Sequence, residues 1–240
     1  ENRLSKGINL RTTGHRAFDL EYNRWLYQAQ VDCLDDLLEK NHIEVKGASL
    51  LDIGCGGGFF IEYFVQKGVS SITGIDIARA SIEYLSNIYP SYHFYEHDIA
   101  ESGLPVKKRF YLVTAISVLF HIVQDNKFEN ALRNMCGLLE PGGYFVACDT
   151  FANPWYPSPK HVRNRDLKDY LPVLQEEGVE VVDLLPAFYF LNRVYIPLLG
   201  PWIISRLKLG FLFYQLDTGF RRSRKHNGAG TKFLLARKRE

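Results

Sequence analysis

No run of apolar residues in this 240-residue chain reaches the roughly 18 to 20 that a membrane-spanning helix needs. Charge of neither sign dominates: 29 Lys and Arg against 27 Asp and Glu leave a net charge of +2. There is thus no global field to recruit a nucleic acid, and no DNA partner is expected. Cysteine is scarce, and Cys33, Cys55, Cys136 and Cys148 stand far apart. Their spacing excludes a disulfide framework and the usual metal sites, so no metal is expected and the simplest setting is a reducing cytoplasm. A secretory signal is also missing, and a start at Glu1 rather than Met reads as a trimmed one. The remaining composition, 46% hydrophobic and 23% charged, is ordinary for a globular protein.

The most informative stretch is Ser49 to Phe60, Ser-Leu-Leu-Asp-Ile-Gly-Cys-Gly-Gly-Gly-Phe-Phe. An apolar run leads into clustered glycines, and an amphipathic run follows, which predicts strand, tight turn and helix. Glycine tolerates positive φ and lets a ligand come close to the backbone. The N-terminus of the following helix offers free N–H groups to an anion. A P-loop is excluded because no Gly-Lys-Ser/Thr follows. A dinucleotide fingerprint is disfavoured because Phe59 stands where its third glycine belongs.

Around this turn, strand and helix patterns alternate. Leu20 to Glu39 predicts a helix, and Glu1 to Phe18 an unstructured arm. Ser71 to Ile77, Ser91 to Ile99, Phe110 to Ile122 and Tyr144 to Thr150 read as strands. Arg79 to Tyr89 and Asn126 to Glu140 read as helices, the latter capped by Asp125. Pro141-Gly142-Gly143 reads as a turn. Such alternation implies a mostly parallel sheet with helices on both faces. In such sheets ligands bind beyond the carboxyl ends of the strands. Gly54, Asp76, Asp98 and Ser117 all fall at such ends. Further on, Arg165 to Glu177 predicts a helix carrying Pro172, and Val179 to Leu185 and Gly228 to Arg237 two more strands. Between those strands lies an apolar insertion at about 187–227.

Leu-Asp-Ile-Gly-Cys-Gly-Gly-Gly-Phe at Leu51–Phe59 resembles the first motif of class I S-adenosylmethionine-dependent methyltransferases. Gly-Ile-Asp-Ile at Gly74–Ile77, His-Asp-Ile at His97–Ile99 and Leu-Glu-Pro-Gly-Gly-Tyr-Phe at Leu139–Phe145 are similar to later motifs of that family. Gly57 departs mildly, standing where a small polar residue is frequent. The resemblance implies a Rossmann-like α/β fold with a seven-stranded, mostly parallel sheet whose last strand is antiparallel. It divides the chain into an arm and cap helix at 1–45 and a methyltransferase domain at 46–240. It implies S-adenosyl-L-methionine as cofactor and S-adenosyl-L-homocysteine as its product. The cofactor site it implies comprises Asp52, Gly54, Cys55, Gly56, Gly58, Asp76, Ile77, Asp98, Ile99, Ile116 and Ser117. In it Asp76 serves the ribose hydroxyls, Ile77 the adenine face, and Asp98 with the Ile99 N–H the adenine edge.

The acceptor is less legible. Tyr22, Trp25, Trp155 and Tyr156 offer an aromatic lining, which suits a small organic molecule such as a natural product, sugar or lipid-like intermediate. Arg163, Arg165 and Arg193 could pair an acidic group on it. His121, just past the fourth strand, is the candidate general base; the competing reading has it capping or packing under the next helix. Asp149, His161 and Tyr156 are secondary candidates. The insertion reads as a lid over the acceptor, a homodimer surface or a peripheral membrane contact. A regulatory cofactor-binding protein, an oxidoreductase and an RNA methyltransferase are the alternatives.

Overall fold

The computed structural model describes residues 18–151, 160–191, 200–222 and 230–240. The elements run α1 (Leu20–Lys40), β1 (Ser49–Ile53), α2 (Phe59–Gln66), β2 (Ser71–Asp76), α3 (Arg79–Ile88), β3 (His93–Glu96) and β4 (Phe110–Ile116). A 3-10 turn (Leu119–His121) leads to α4 (Asp125–Gly137), β5 (Leu139–Thr150), α5 (Leu167–Glu176) and β6 (Val179–Pro186). Then come α6 (Gly200–Arg206), α7 (Gly210–Arg222) and β7 (Thr231–Lys238). The seven strands form one sheet in the order β3-β2-β1-β4-β5-β7-β6. β1 to β5 pair in parallel, and β7 runs antiparallel to both β5 and β6. The chain order reverses direction in space between β1 and β4. That is where an open α/β sheet forms its crevice.

Strand periodicity divides the core into two layers, because alternate side chains leave opposite faces. Leu51 and Ile53 of β1 join Phe128, Leu132 and Met135 of α4 and Val173 and Leu174 of α5. Leu50 faces the other way, with Leu34 and Leu37 of α1 and Phe60, Ile61 and Phe64 of α2. Asp52 follows the parity of Leu50. It is held by the Thr114 hydroxyl, which donates to Oδ1 at 2.6 Å.

Several expected boundaries move for identifiable reasons. The third strand is only His93–Glu96, its last rung being the bond from the His97 N–H to the Asp76 carbonyl at 3.0 Å. The fifth begins at Leu139 rather than Tyr144, and Pro141-Gly142-Gly143 is an irregularity inside it. The register jumps from Phe110↔Leu139 to Leu112↔Tyr144 there. Gly143 is required, since a Cβ on it would stand 2.9 to 3.1 Å from three backbone oxygens. Asp125 is not the cap of α4: Gln124 occupies that position, and Asp125 lies in the first turn. Its carboxylate is taken by Arg163 at 2.9 Å and Arg165 at 3.0 Å. The helix after β5 starts two residues later than expected, because Asp166 and Asp169 form a capping box at its entry. Pro172 lies within that helix.

The described part of the insertion holds two helices, of which α7 packs against α1. Tyr214 donates to Asp32 at 2.7 Å, and Arg221 donates to the Ala29 carbonyl at 3.1 Å. Trp25 stacks on Tyr214 with ring centroids 5.1 Å apart. Asp217 is buried and accepts the backbone N–H groups of Tyr189, Phe190 and Leu191, which pins α7 to the chain leaving β6.

Candidate functional site

The glycine turn leaves β1 with Gly54, Gly56 and Gly58 all at positive φ (69°, 49° and 80°). L-residues carrying a Cβ disfavour this region, which explains the alternate glycines. Space is as strict as conformation, for a Cβ on Gly54 would stand 2.4 Å from Val118 Cγ2. The turn is laced to the end of β2: Gly54 N–H donates to the Ile75 carbonyl at 2.7 Å, and Gly56 N–H to Asp76 Oδ2 at 2.8 Å. No side chain caps the N-terminus of α2 at Gly58. An anion there meets N–H groups at the positive end of the helix.

Asp76 accepts through both oxygens, the second from Ala78 N–H at 2.8 Å. Each oxygen keeps a lone pair for a further donor. Burial raises its carboxyl above the usual range, against the pull of the Ala78, Gly56 and Ile77 N–H groups. Beside it Ile77 is 70% exposed, an apolar side chain without apolar cover. After β3, Asp98 accepts from Ala100 N–H at 2.9 Å and has the Lys127 ammonium 3.7 Å away. Ile99 is buried, its carbonyl accepting from the Asn134 amide at 2.7 Å.

Beneath the turn lies Asp52, pushed up to about 7 by burial, then by the Asp76 charge, with the Thr114 bond opposing. Cys55 is buried as well, and burial holds its thiol well above the ordinary value. At the end of β4 Ile116 is buried, and Ser117 takes φ 61°, rare for a residue other than glycine. Two bonds hold it: its N–H donates to the Cys148 carbonyl at 2.8 Å, and its hydroxyl accepts from the Gln30 amide at 3.0 Å. Gln30 is a buried polar residue of α1 reaching the sheet edge. Sequence reasoning missed it, since one Gln on a helix otherwise patterned for packing carries no signal. Thr114 was missed too, as a single hydroxyl inside the apolar run of β4.

The eleven residues of the expected cofactor site thus converge on one sheet edge. Those expected to face the acceptor do not all join them. Tyr22 is 1% exposed, stacked on Phe18 at 3.8 Å and covered by Gly210. It packs in the seam between α1 and α7 rather than facing an acceptor, a correction that follows from α7 lying over this side of α1. Trp25 lies in that seam too, against Phe211 and Tyr214. Trp155, Tyr156 and Arg193 lie outside the described residues. Arg163 and Arg165 are tied to Asp125, as above. His121 is exposed, its Nδ1 3.3 Å from the His161 carbonyl and its ring parallel to His161 at 6.1 Å. Asp149 is buried within β5, where it accepts from the Tyr170 hydroxyl. It is a core residue rather than a loop candidate.

An open parallel sheet, a glycine turn at its switch point and an acid at the next strand end define a protein built to hold a nucleoside-type cofactor. Comparison with known proteins agrees. Residues 50–143 match a family model described as a methyltransferase domain. The chain is 26% identical, over 68% of its length and 70% of the relative's, to a ubiquinone biosynthesis O-methyltransferase of Methylobacterium nodulans. Further relatives are matched over 40% and 56% of their own lengths. The fold is similar to that of the cyclase SpnF (TM-score 0.61, 20% identity, 86% of this chain and 80% of that one). It is also similar to that of a magnesium protoporphyrin IX methyltransferase of Synechocystis with bound SAM (TM-score 0.59, 15% identity, 90% and 81%). Residues 50–143 are a methyltransferase domain on the fold of the S-adenosylmethionine-dependent methyltransferases, whose cofactor is S-adenosyl-L-methionine.

The residues present suit that group. A carboxylate with two available lone pairs answers two vicinal hydroxyls, an uncovered isoleucine answers a flat base, and an uncapped helix N-terminus answers a carboxylate.

Proposed function

We propose that this enzyme methylates an oxygen or nitrogen of a small organic acceptor. Bound S-adenosyl-L-methionine would supply an activated sulfonium methyl group. The chain's part is then chiefly to orient, which can account for most of the acceleration of a displacement. The methionine carboxylate belongs at the N-terminus of α2, and the ammonium at the carbonyls of the glycine turn that Asp52 supports. Asp76 takes the ribose hydroxyls, Ile77 the adenine face, Asp98 and the Ile99 N–H the adenine edge, with Ile116 to Val118 lining the other side. The observation that carries this reading is Asp76, whose two oxygens are each fixed by one backbone N–H at 2.8 Å beside the exposed Ile77.

For an oxygen acceptor we assign the proton to His121. A carbonyl only accepts, so the bond to His161 places the proton on Nδ1. The methylated acceptor of the Methylobacterium relative favours oxygen. We place the enzyme in the cytoplasm, a reading supported by its four free, buried thiols. The test is S-adenosyl-L-homocysteine release with phenols, sugars and amines as acceptors. His121→Ala is expected to lower the rate with hydroxyl acceptors about 100-fold or more while cofactor affinity holds. An unchanged rate removes His121 from the role. A second reading, cofactor binding without methyl transfer, draws on the cyclase among the fold's neighbours. Cofactor affinity with no release on any acceptor would favour it.

A further inference from the structure

We propose that the α6–α7 segment docks on an anionic phospholipid surface, whichever acceptor the enzyme methylates. The outward side of this segment inverts the usual surface pattern. Trp202, Leu207 and Leu212 are 69%, 61% and 50% exposed, and Phe211 and Leu216 are exposed as well. Along α7, Phe211, Leu212, Gln215, Leu216 and Gly219 recur at spacings of three and four, which puts them on one stripe. The opposite stripe holds the helix's polar partners: Tyr214 and Arg221 bond α1, and Asp217 caps Tyr189 to Leu191. A surface helix normally turns its polar side to water. This one turns it inward.

Charge selects the occupant. Between Gly200 and Arg222 the sole acid is Asp217, which is buried, whereas Arg206 and Lys208 are both exposed. The Arg206 guanidinium lies 5.3 Å from the Trp202 ring centroid, a cation beside an aromatic that is apolar at one end and wet at the other. A second copy docking about a twofold axis would set this cationic rim against itself. Anionic headgroups complement it, and the apolar stripe can enter the acyl boundary with the helix lying in the plane. Among the described residues no helix is long and apolar enough to cross a membrane, so the contact is peripheral.

Flotation of the full chain with vesicles of phosphatidylcholine, with and without phosphatidylglycerol, tests this. The chain is expected to float only with the anionic vesicles and to be released by salt. Trp202→Ser with Leu212→Ser and Leu216→Ser should abolish flotation, and Arg206→Gln with Lys208→Gln should weaken it about 30-fold. Both variants should keep the rise in Tm with S-adenosyl-L-methionine, which shows that they are folded. No flotation with anionic vesicles overturns the proposal. So does light scattering that shows a dimer which the three serine substitutions split.

Discussion

Asp52, Asp76 and Asp149 all stand at or near strand ends, and burial gives each an unusual carboxyl. Asp52 is pushed up to about 7 and Asp149 to about 6, burial being the main cause in both. For Asp149 the Tyr170 hydroxyl, the Thr150 N–H and the Arg165 charge pull the other way. An acid whose folded pKa is raised keeps its proton in the native chain after the unfolded chain has lost its own. Its contribution is therefore whole below about pH 4, the unfolded value, and is lost as pH rises toward the folded value. Unfolding midpoints in urea should fall from pH 4 to pH 7 on account of these two groups. Asp149→Asn, which keeps an acceptor for Tyr170, should flatten the part between pH 4 and 6. A midpoint that rises over that range in the parent, with the variant unchanged, would contradict the assignment.

At the level of elements, the strands around the crevice were legible because apolar runs ending in Gly54, Asp76 and Ser117 report both the period and the edge. Boundaries were less so where a tertiary bond decides them. Arg163 and Arg165 take Asp125 from the cap of α4. The apolar insertion could be read as lid, dimer surface or membrane contact, since its composition does not say what α7 packs against. It packs against α1, through Trp25, Tyr214 and Arg221. Arg221 spans the seam, within 3.4 Å of both Asp32 and Asp36. Arg221→Ala should cost about 1–2 kcal/mol, since the acids it leaves retain some access to water. Hydrogen exchange should quicken in α6 and α7 well before the sheet. Exchange that quickens uniformly, or not at all, would deny Arg221 this role.

Across the whole molecule, the proposed cofactor half of the site falls at one sheet edge, and the proposed acceptor half on elements added around it. The first was readable because four parallel strand ends share one side of the sheet. The second was not, because Tyr22 and Trp25 look alike whether they face a ligand or a neighbouring helix. Fold alone leaves the reaction open, as one of its neighbours is a cyclase. Residues Asp76 and Ile77 bind the account to a nucleoside. Calorimetric titration with S-adenosyl-L-methionine, NAD and the Asp76→Asn variant tests this directly. The account predicts one cofactor bound per chain, no heat with NAD, and an affinity lowered about 10- to 100-fold by Asp76→Asn, since a lost acceptor costs about 1–3 kcal/mol. Equal affinity in parent and variant, or preference for NAD, would contradict it.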